Sequence, residues 1–238
     1  MERVEIAFSL PRWLVDPLKR SLRADRGQSL LGLVGDRDIE WSWVCSKMPA
    51  GPGKALDFGP GGSMLGLVAA QKGFDVLAVD LMAVEWPYRH PRLKFEQGDI
   101  LGLSLEPESF DLIINCSSIE HVGLPGRYGV RLTSPDGDLR AMEALREALK
   151  QGGSMLLTIP IGLDSVFAPL HRVYGRERLP ILLDGLEIES EVFWTKNSAN
   201  QWEQVDREKA LNAPPKVNYR YPGRSVYGLG CFVARKRK

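Results

Sequence analysis

The amino-acid sequence predicts an α/β fold, a mostly parallel sheet of seven strands with helices on both faces. Three observations lead there. Short apolar runs recur at Lys54 to Phe58, Asp75 to Asp80, Leu93 to Glu96, Phe110 to Asn115, Ser154 to Pro160, Leu186 to Trp194 and Val226 to Arg235. Helix-period segments separate the early runs, and strands alternating with helices form parallel sheets covered on both faces. The first run ends in a glycine-rich turn, Gly59-Pro60-Gly61-Gly62, that opens a helix. In such sheets ligands gather at the carboxyl ends of the strands.

Residues 1–52 mix apolar runs with charge and read as an N-terminal helical segment or lid. Its clearest helix is 38–47, behind a cap at Asp38. Pro49, Gly51, Pro52 and Gly53 break the chain, and the main domain, 53–238, follows. Its helices are expected at Ser63 to Lys72, at Asp138 to Lys150 and past residue 175. The second carries Leu139, Met142, Leu145 and Leu149 on one face and is ended by Gly152 and Gly153. The stretch 195–225, rich in Asn, Gln and Pro, is too long for a hairpin. Insertions of that length commonly carry function, and this one is expected to roof the site.

At 238 residues, 44% hydrophobic and 26% charged, one domain is expected. A chain of this size buries roughly 70–75% of its unfolded surface and needs no covalent staples. Cys45, Cys116 and Cys231 are scattered and odd in number, which excludes a disulfide scaffold and zinc spacing and fits a reducing compartment. No run approaches the ~18 apolar residues of a membrane span, and the start, Met1-Glu2-Arg3-Val4-Glu5, lacks a signal-peptide layout. A cytoplasmic protein with no membrane partner is expected. Net charge is +1, but Arg235 to Lys238 contribute +4 and leave the rest at −3. An acidic body is no polyphosphate magnet, and the basic end reads as a solvated tail.

Chemistry concentrates in Asp57-Phe58-Gly59-Pro60-Gly61-Gly62-Ser63. Glycines between strand and helix let the backbone turn tightly against a ligand. A dinucleotide fingerprint needs Gly-x-Gly-x-x-Gly, whereas Met64 holds the last position here. Asp57, directly before the turn, would repel a pyrophosphate but can hydrogen-bond an ammonium. Asp80 falls at the tip of the second strand, where an acid grips a ribose diol. Gln97-Gly98-Asp99-Ile100 follows the third strand. Three acids at three strand tips call for a ligand with amine, hydroxyl and exocyclic amino groups.

These residues resemble the class I S-adenosylmethionine-dependent methyltransferases, whose first motif is acid-x-Gly-x-Gly-x-Gly. Here it reads Asp57-x-Gly59-x-Gly61-x-Ser63, with Ser63 in the last position. The resemblance runs from about 54 to 160 and implies a Rossmann-like fold with an antiparallel last strand. It also implies S-adenosylmethionine as cofactor and S-adenosylhomocysteine as product. Asp57, Gly59 and Gly61 would contact the methionine part, Asp80 the ribose, and Asp99 with Ile100 the adenine. Asn115 and Cys116 would end the strand beneath the sulfonium, with Phe58, Pro60, Ser63 and Leu81 completing the cofactor contacts. Ser118-Ile119-Glu120-His121-Val122-Gly123, Gly126-Arg127-Tyr128-Gly129 and His171-Arg172-Val173-Tyr174-Gly175 are similar to a poorly characterised branch of that superfamily and extend the match to about 180.

Methyl transfer from a sulfonium is an in-line displacement, so alignment is the main task, worth up to ~7–11 kcal/mol. A base is needed only where the acceptor must lose a proton. His121, just past the fourth strand, is the candidate base, with Glu120 beside it. The alternative is that both cap the following segment or hydrogen-bond the cofactor-side loop. Arg127 and Tyr128 are candidate contacts for an anionic or sugar-like acceptor, or lid residues. His171 and Tyr174 either reach the cleft or make structural hydrogen bonds, and Trp194 either walls the acceptor pocket or belongs to the core. Glu120-His121 also resembles the end of a Glu-x-x-Glu-His metal site in some ubiquinone-pathway O-methyltransferases. Ser117 stands where the first Glu would be, so no metal is expected.

The expected function is methyl transfer to the oxygen of a small molecule, a sugar or other secondary metabolite, by a monomer or homodimer. A nucleic-acid or protein methyltransferase is the rival within enzymes. The Asn-Pro-Pro-aromatic signature is missing where Asn115-Cys116-Ser117-Ser118 stands, and the body has no basic stripe, so no nucleic-acid partner is expected. A cofactor-binding subunit without turnover is the rival from another class. Asp57 and Met64 disfavour a nicotinamide-dependent oxidoreductase.

Overall fold

The computed structural model describes residues 35–126, 128, 130, 133–219 and 225–237. Its frame comes from strands that are apolar on both sides. Side chains of β1 (Gly53–Phe58), β4 (Phe110–Cys116) and β5 (Leu149–Ile161) alternate between the two faces of the sheet. Leu56, Ile113 and Leu157 join one core cluster with Met142 and Leu145 of a helix at Gly137–Ala148. Ala55, Leu112, Ile114 and Leu156 join the other, with Trp43 and Val44 of α1 (Asp36–Lys47) and Leu65 and Ala69 of α2 (Leu65–Gln71). We call the helix at Gly137–Ala148 α3. Among the described residues two short helices follow, α4 (Arg178–Leu182) and α5 (Arg207–Leu211).

The remaining strands are β2 (Phe74–Asp80), β3 (Leu93–Gln97), β6 (Ser165–Phe167), β7 (His171–Val173), β8 (Leu186–Lys196), β9 (Trp202–Val205) and β10 (Gly228–Lys236). The main sheet runs β3-β2-β1-β4-β5-β10-β8-β9, and β6 with β7 forms a separate hairpin. The first five strands are parallel, whereas β10 runs antiparallel to both neighbours and β9 antiparallel to β8. The chain steps outward from β1 to β3 and then returns to β4 on the other side of β1. That reversal opens a crevice between the ends of β1 and β4, the place where open α/β sheets hold ligands.

Among the described residues the sheet has eight strands where seven are expected. The addition is β9, Trp-Glu-Gln-Val, of which only Trp202 is buried; so short and polar a stretch gives little strand signal. With α5 it builds the far edge of the sheet. Gly152 and Gly153 do not end α3. Leu149 caps that helix and starts β5 at once, and the glycines lie within β5, where its register against β4 shifts. Asp38 is not the cap of α1 but sits in its first turn, reaching back to accept from the Gly35 amide. Arg235 and Lys236 belong to β10 rather than to a free tail. Arg235 donates to the Gly152 carbonyl at 2.6 Å, and Lys236 to Glu108 and the Leu149 carbonyl at 3.1 and 3.0 Å. Among the described residues no helix is long and apolar enough to cross a membrane.

Candidate functional site

A cavity of about 1090 Å³ opens at the crevice between β1 and β4. Ligand pockets run to ~1,000 Å³, so this one lies at the large end of their range. Its floor is the turn after β1. Gly59 has φ +64, and a Cβ there would meet the Ser118 hydroxyl at 2.4 Å; that hydroxyl donates to the Gly59 carbonyl across the crevice at 2.8 Å. Only glycine fits such an approach. Gly61 has φ +49, and a Cβ at Gly61 or Gly62 would meet nothing within 4 Å, so this backbone faces open space.

Asp57, at the end of β1, is 1% exposed, and its Oδ2 has no hydrogen-bond partner. Burial pushes its carboxyl up to about 7, against the pull of the Gly66 amide and helped by the nearby charge of Asp80. Asp80 closes the far side of the turn, accepting from the amides of Gly61 (3.0 Å) and Met82 (2.9 Å). Asp99 accepts from the Leu101 amide at 3.0 Å. Asp57, Phe58, Gly59, Pro60, Gly61 and Ser63 all line the cavity. So do Asp80, Leu81, Asp99, Ile100 and Cys116. Asn115 does not. It is fully buried, and its side-chain oxygen accepts from the Ile119 amide at 3.3 Å.

His121 lines the cavity beyond the end of β4, with the Tyr128 ring 5.3 Å away. Its Nδ1 lies 2.5 Å from the Leu170 carbonyl. A carbonyl only accepts, so Nδ1 carries the proton and Nε2 is the basic nitrogen. Glu120 is buried, and its carboxylate stands 3.7 Å from Nε2. Arg127 lies outside the described residues.

Three of the predicted substrate contacts are not on the cavity wall. Tyr174 is fully buried and donates to Asp138 at 3.1 Å. Arg178 and Arg172 meet the same carboxylate, and Arg172 also donates to the carbonyls of Val122, Ser134 and Pro135 at 2.6, 3.2 and 3.1 Å. The His171 to Gly175 stretch therefore braces the loop after β4. His171 is buried among the rings of His121, Phe167 and Tyr227. Trp194 packs against the core on the α1 side of the sheet. None of the described residues of 195–219 lines the cavity.

Other residues of the wall, and of the loop that braces its glycine turn, carry no sequence signal of their role. Arg37 and Trp41, one helical turn apart on α1, line the cavity. In the loop after β2, the Trp86 indole donates to the Gly61 carbonyl at 3.0 Å and the Tyr88 hydroxyl to the Ser63 carbonyl at 2.6 Å, their rings stacked 5.4 Å apart. Ser117, Ser134 and Thr133 add polar groups at the His121 end.

No curated sequence matches the chain. A family model described as "Caenorhabditis protein of unknown function, DUF268" matches residues 104–215. Among solved structures, the chain is similar to Burkholderia thailandensis 1,6-didemethyltoxoflavin-N1-methyltransferase, solved with 1,6-didemethyltoxoflavin and S-adenosylhomocysteine. That match has a TM-score of 0.57 and 15% identity, covering 99% of this chain and 94% of that one. An S-adenosylmethionine-dependent methyltransferase from Mesorhizobium loti matches at TM-score 0.51 and 16% identity, over 83% of this chain and 97% of that one. Haemonchus contortus phosphoethanolamine N-methyltransferase 2, solved with phosphomonomethylethanolamine and S-adenosylhomocysteine, matches at 0.53 and 16%, over 83% of this chain and 53% of that one. The fold is that of the class I methyltransferases.

Proposed function

We propose that the protein is an S-adenosylmethionine-dependent methyltransferase that methylates a hydroxyl of a small, sugar-like molecule. The observation that carries the reading is Asp57, a fully buried carboxylate whose Oδ2 meets no donor on the wall of a large cavity. Such a group is costly unless a ligand's cation completes it. The open backbone at Gly61 and Gly62 and the acids ending β1, β2 and following β3 fit the same cofactor.

Bound S-adenosylmethionine would supply an electrophilic methyl group on a sulfonium. Asp57 would hold the ammonium of its methionine part. Asp80, whose oxygens each accept one amide, keeps lone pairs for the ribose hydroxyls. Asp99 and Ile100 would border the adenine. At the other end His121 takes the acceptor's proton at Nε2, and the Glu120 carboxylate stabilises the imidazolium that forms. Tyr128, Thr133 and Ser134 bring hydroxyl-bearing side chains to this end of the cavity, which supports a polyhydroxylated acceptor.

Calorimetry with S-adenosylhomocysteine, followed by transfer of tritiated methyl to a panel of sugars and glycosides, tests this. Binding with transfer to sugar hydroxyls is expected. Absence of binding at millimolar ligand overturns the cofactor assignment, and binding without transfer to any acceptor supports the non-catalytic subunit.

A further inference from the structure

Arg37 belongs to no motif, yet its half-exposed guanidinium stands on the cavity wall. Its Nη1 donates to Glu40 Oε2 at 2.6 Å and lies 3.9 Å from Cys116 Sγ, at the end of β4. Glu40 has no exposure at all. Its other oxygen accepts from the hydroxyls of Thr158, at 2.8 Å, and Ser117. Ser117 turns toward it by adopting a left-handed backbone, φ +48, a strained state for a non-glycine residue. A fully buried carboxylate is an expensive way to fill space, and an apolar residue would pack as well. What this pair achieves is a guanidinium fixed over the end of β4, with most of its donors still available to a ligand.

Position does the rest. Asp57 faces Ile114 in the β1–β4 register, two residues before Cys116. Strand spacing of ~4.8 Å and a rise of ~3.3 Å per residue put Asp57 and Cys116 roughly 8 Å apart along the crevice. An α-amino acid carries ammonium and carboxylate on one carbon. With a charge-assisted hydrogen bond of ~2.8 Å at each end, it spans about that gap. Asp57 is an anion for the first group and Arg37 a cation for the second. The cavity's other described arginine, Arg140, stands on α3, on the opposite face of the sheet from α1.

We infer that Arg37, held in place by the buried Glu40, binds the carboxylate of the cofactor's methionine moiety, opposite the ammonium held by Asp57. The inference rests on the cofactor reading above. It makes α1 part of the cofactor site, with Arg37 a contact and Glu40 a positioning residue.

Calorimetry with two ligands tests it: S-adenosylhomocysteine, and its decarboxylated analogue, which keeps the amine and lacks the carboxylate. Arg37→Gln should weaken S-adenosylhomocysteine about 10- to 100-fold, the range for a hydrogen-bonded ion pair, and leave the analogue's affinity unchanged. Glu40→Gln should give a smaller loss with the same selectivity, whereas a merely structural role would weaken both ligands alike. Arg37→Lys keeps the charge that Glu40 requires and loses only the planar fork. It should fold and show the selective loss should the glutamine variant unfold. Equal losses for both ligands, or unchanged S-adenosylhomocysteine affinity in the Arg37 variants, overturn the assignment. Failure of the unmodified protein to bind S-adenosylhomocysteine overturns instead the cofactor reading on which it rests.

Discussion

Replacing Asp57 by Asn should stabilise the ligand-free protein while weakening its hold on cofactor. Burial pushes the Asp57 carboxyl from its ordinary 3.8 up to about 7. At about 1.4 kcal/mol for each tenfold change in proton affinity, keeping it ionised costs the fold roughly 4 kcal/mol at pH 8. Asn is neutral and nearly the same shape, but leaving its amide unpaired gives back about 1–3 kcal/mol. The net gain, about 1–3 kcal/mol, should raise the melting temperature by roughly 2–10 °C for a chain of this length. The folded-state value lies above the unfolded one, so the penalty builds as pH rises from about 4 to 7 and is constant above. The variant's advantage should therefore shrink toward pH 5. Binding goes the other way, because the lost ammonium contact is worth ~1.5–3 kcal/mol, or about 10- to 100-fold. In the unmodified protein, affinity should fall as pH drops below 7, and in Asp57→Asn it should be flat. Melting curves with and without S-adenosylhomocysteine between pH 5 and 8, joined to calorimetry, decide it. A variant less stable at pH 8 with unchanged affinity would refute the reasoning.

His121→Gln should lower turnover by ~10²–10⁴ while S-adenosylhomocysteine affinity holds in calorimetry; full activity removes His121 as the base. Arg172→Met leaves the Asp138 carboxylate short of a buried partner and should cost about 3–5 kcal/mol in urea unfolding, identifying the His171 to Gly175 stretch as a brace. Trp86→Phe removes the donor to the Gly61 carbonyl and should weaken cofactor binding several-fold, for ~1 kcal/mol, with the fold intact by circular dichroism. Gly59→Ala forces a Cβ onto Ser118 at a left-handed φ and should destabilise by roughly 1–3 kcal/mol, a loss that Ser118→Gly partly restores.

What was legible in the sequence was local. Asp57, the glycines after it, Asp80 and Asp99 each sit where a buried strand gives way to a turn, and strand ends are marked by composition within a few residues. Arg37 and Trp41 were invisible because they reach the cavity from a helix that no motif includes. Trp86 and Tyr88 lie in an aperiodic loop and act through hydroxyl and indole donors on the glycine turn. Tyr174 and Trp194 illustrate the opposite difficulty. A polar-tipped aromatic near a strand end looks the same in sequence whether it faces a cavity or the core, and here Asp138 and the α1-side core claim them. Gly152 and Gly153 have the chemistry of a helix stop, but Leu149 had already ended α3, so the glycines were free to shape β5.

The anchoring of α1 bears on how the chain assembles. Its polar ties reach Ser117, Thr158 and Tyr227, at separations of 77, 118 and 191 residues. Loop closure over such distances is slow compared with local helix formation. The apolar face of α1 meets neighbours close in the chain, in β1 and α2, whereas its polar ties can close only once Ser117, Thr158 and Tyr227 are present. The wall carrying Arg37 and Trp41 is therefore fixed by residues far along the chain, whereas the glycine turn beneath it is local in sequence.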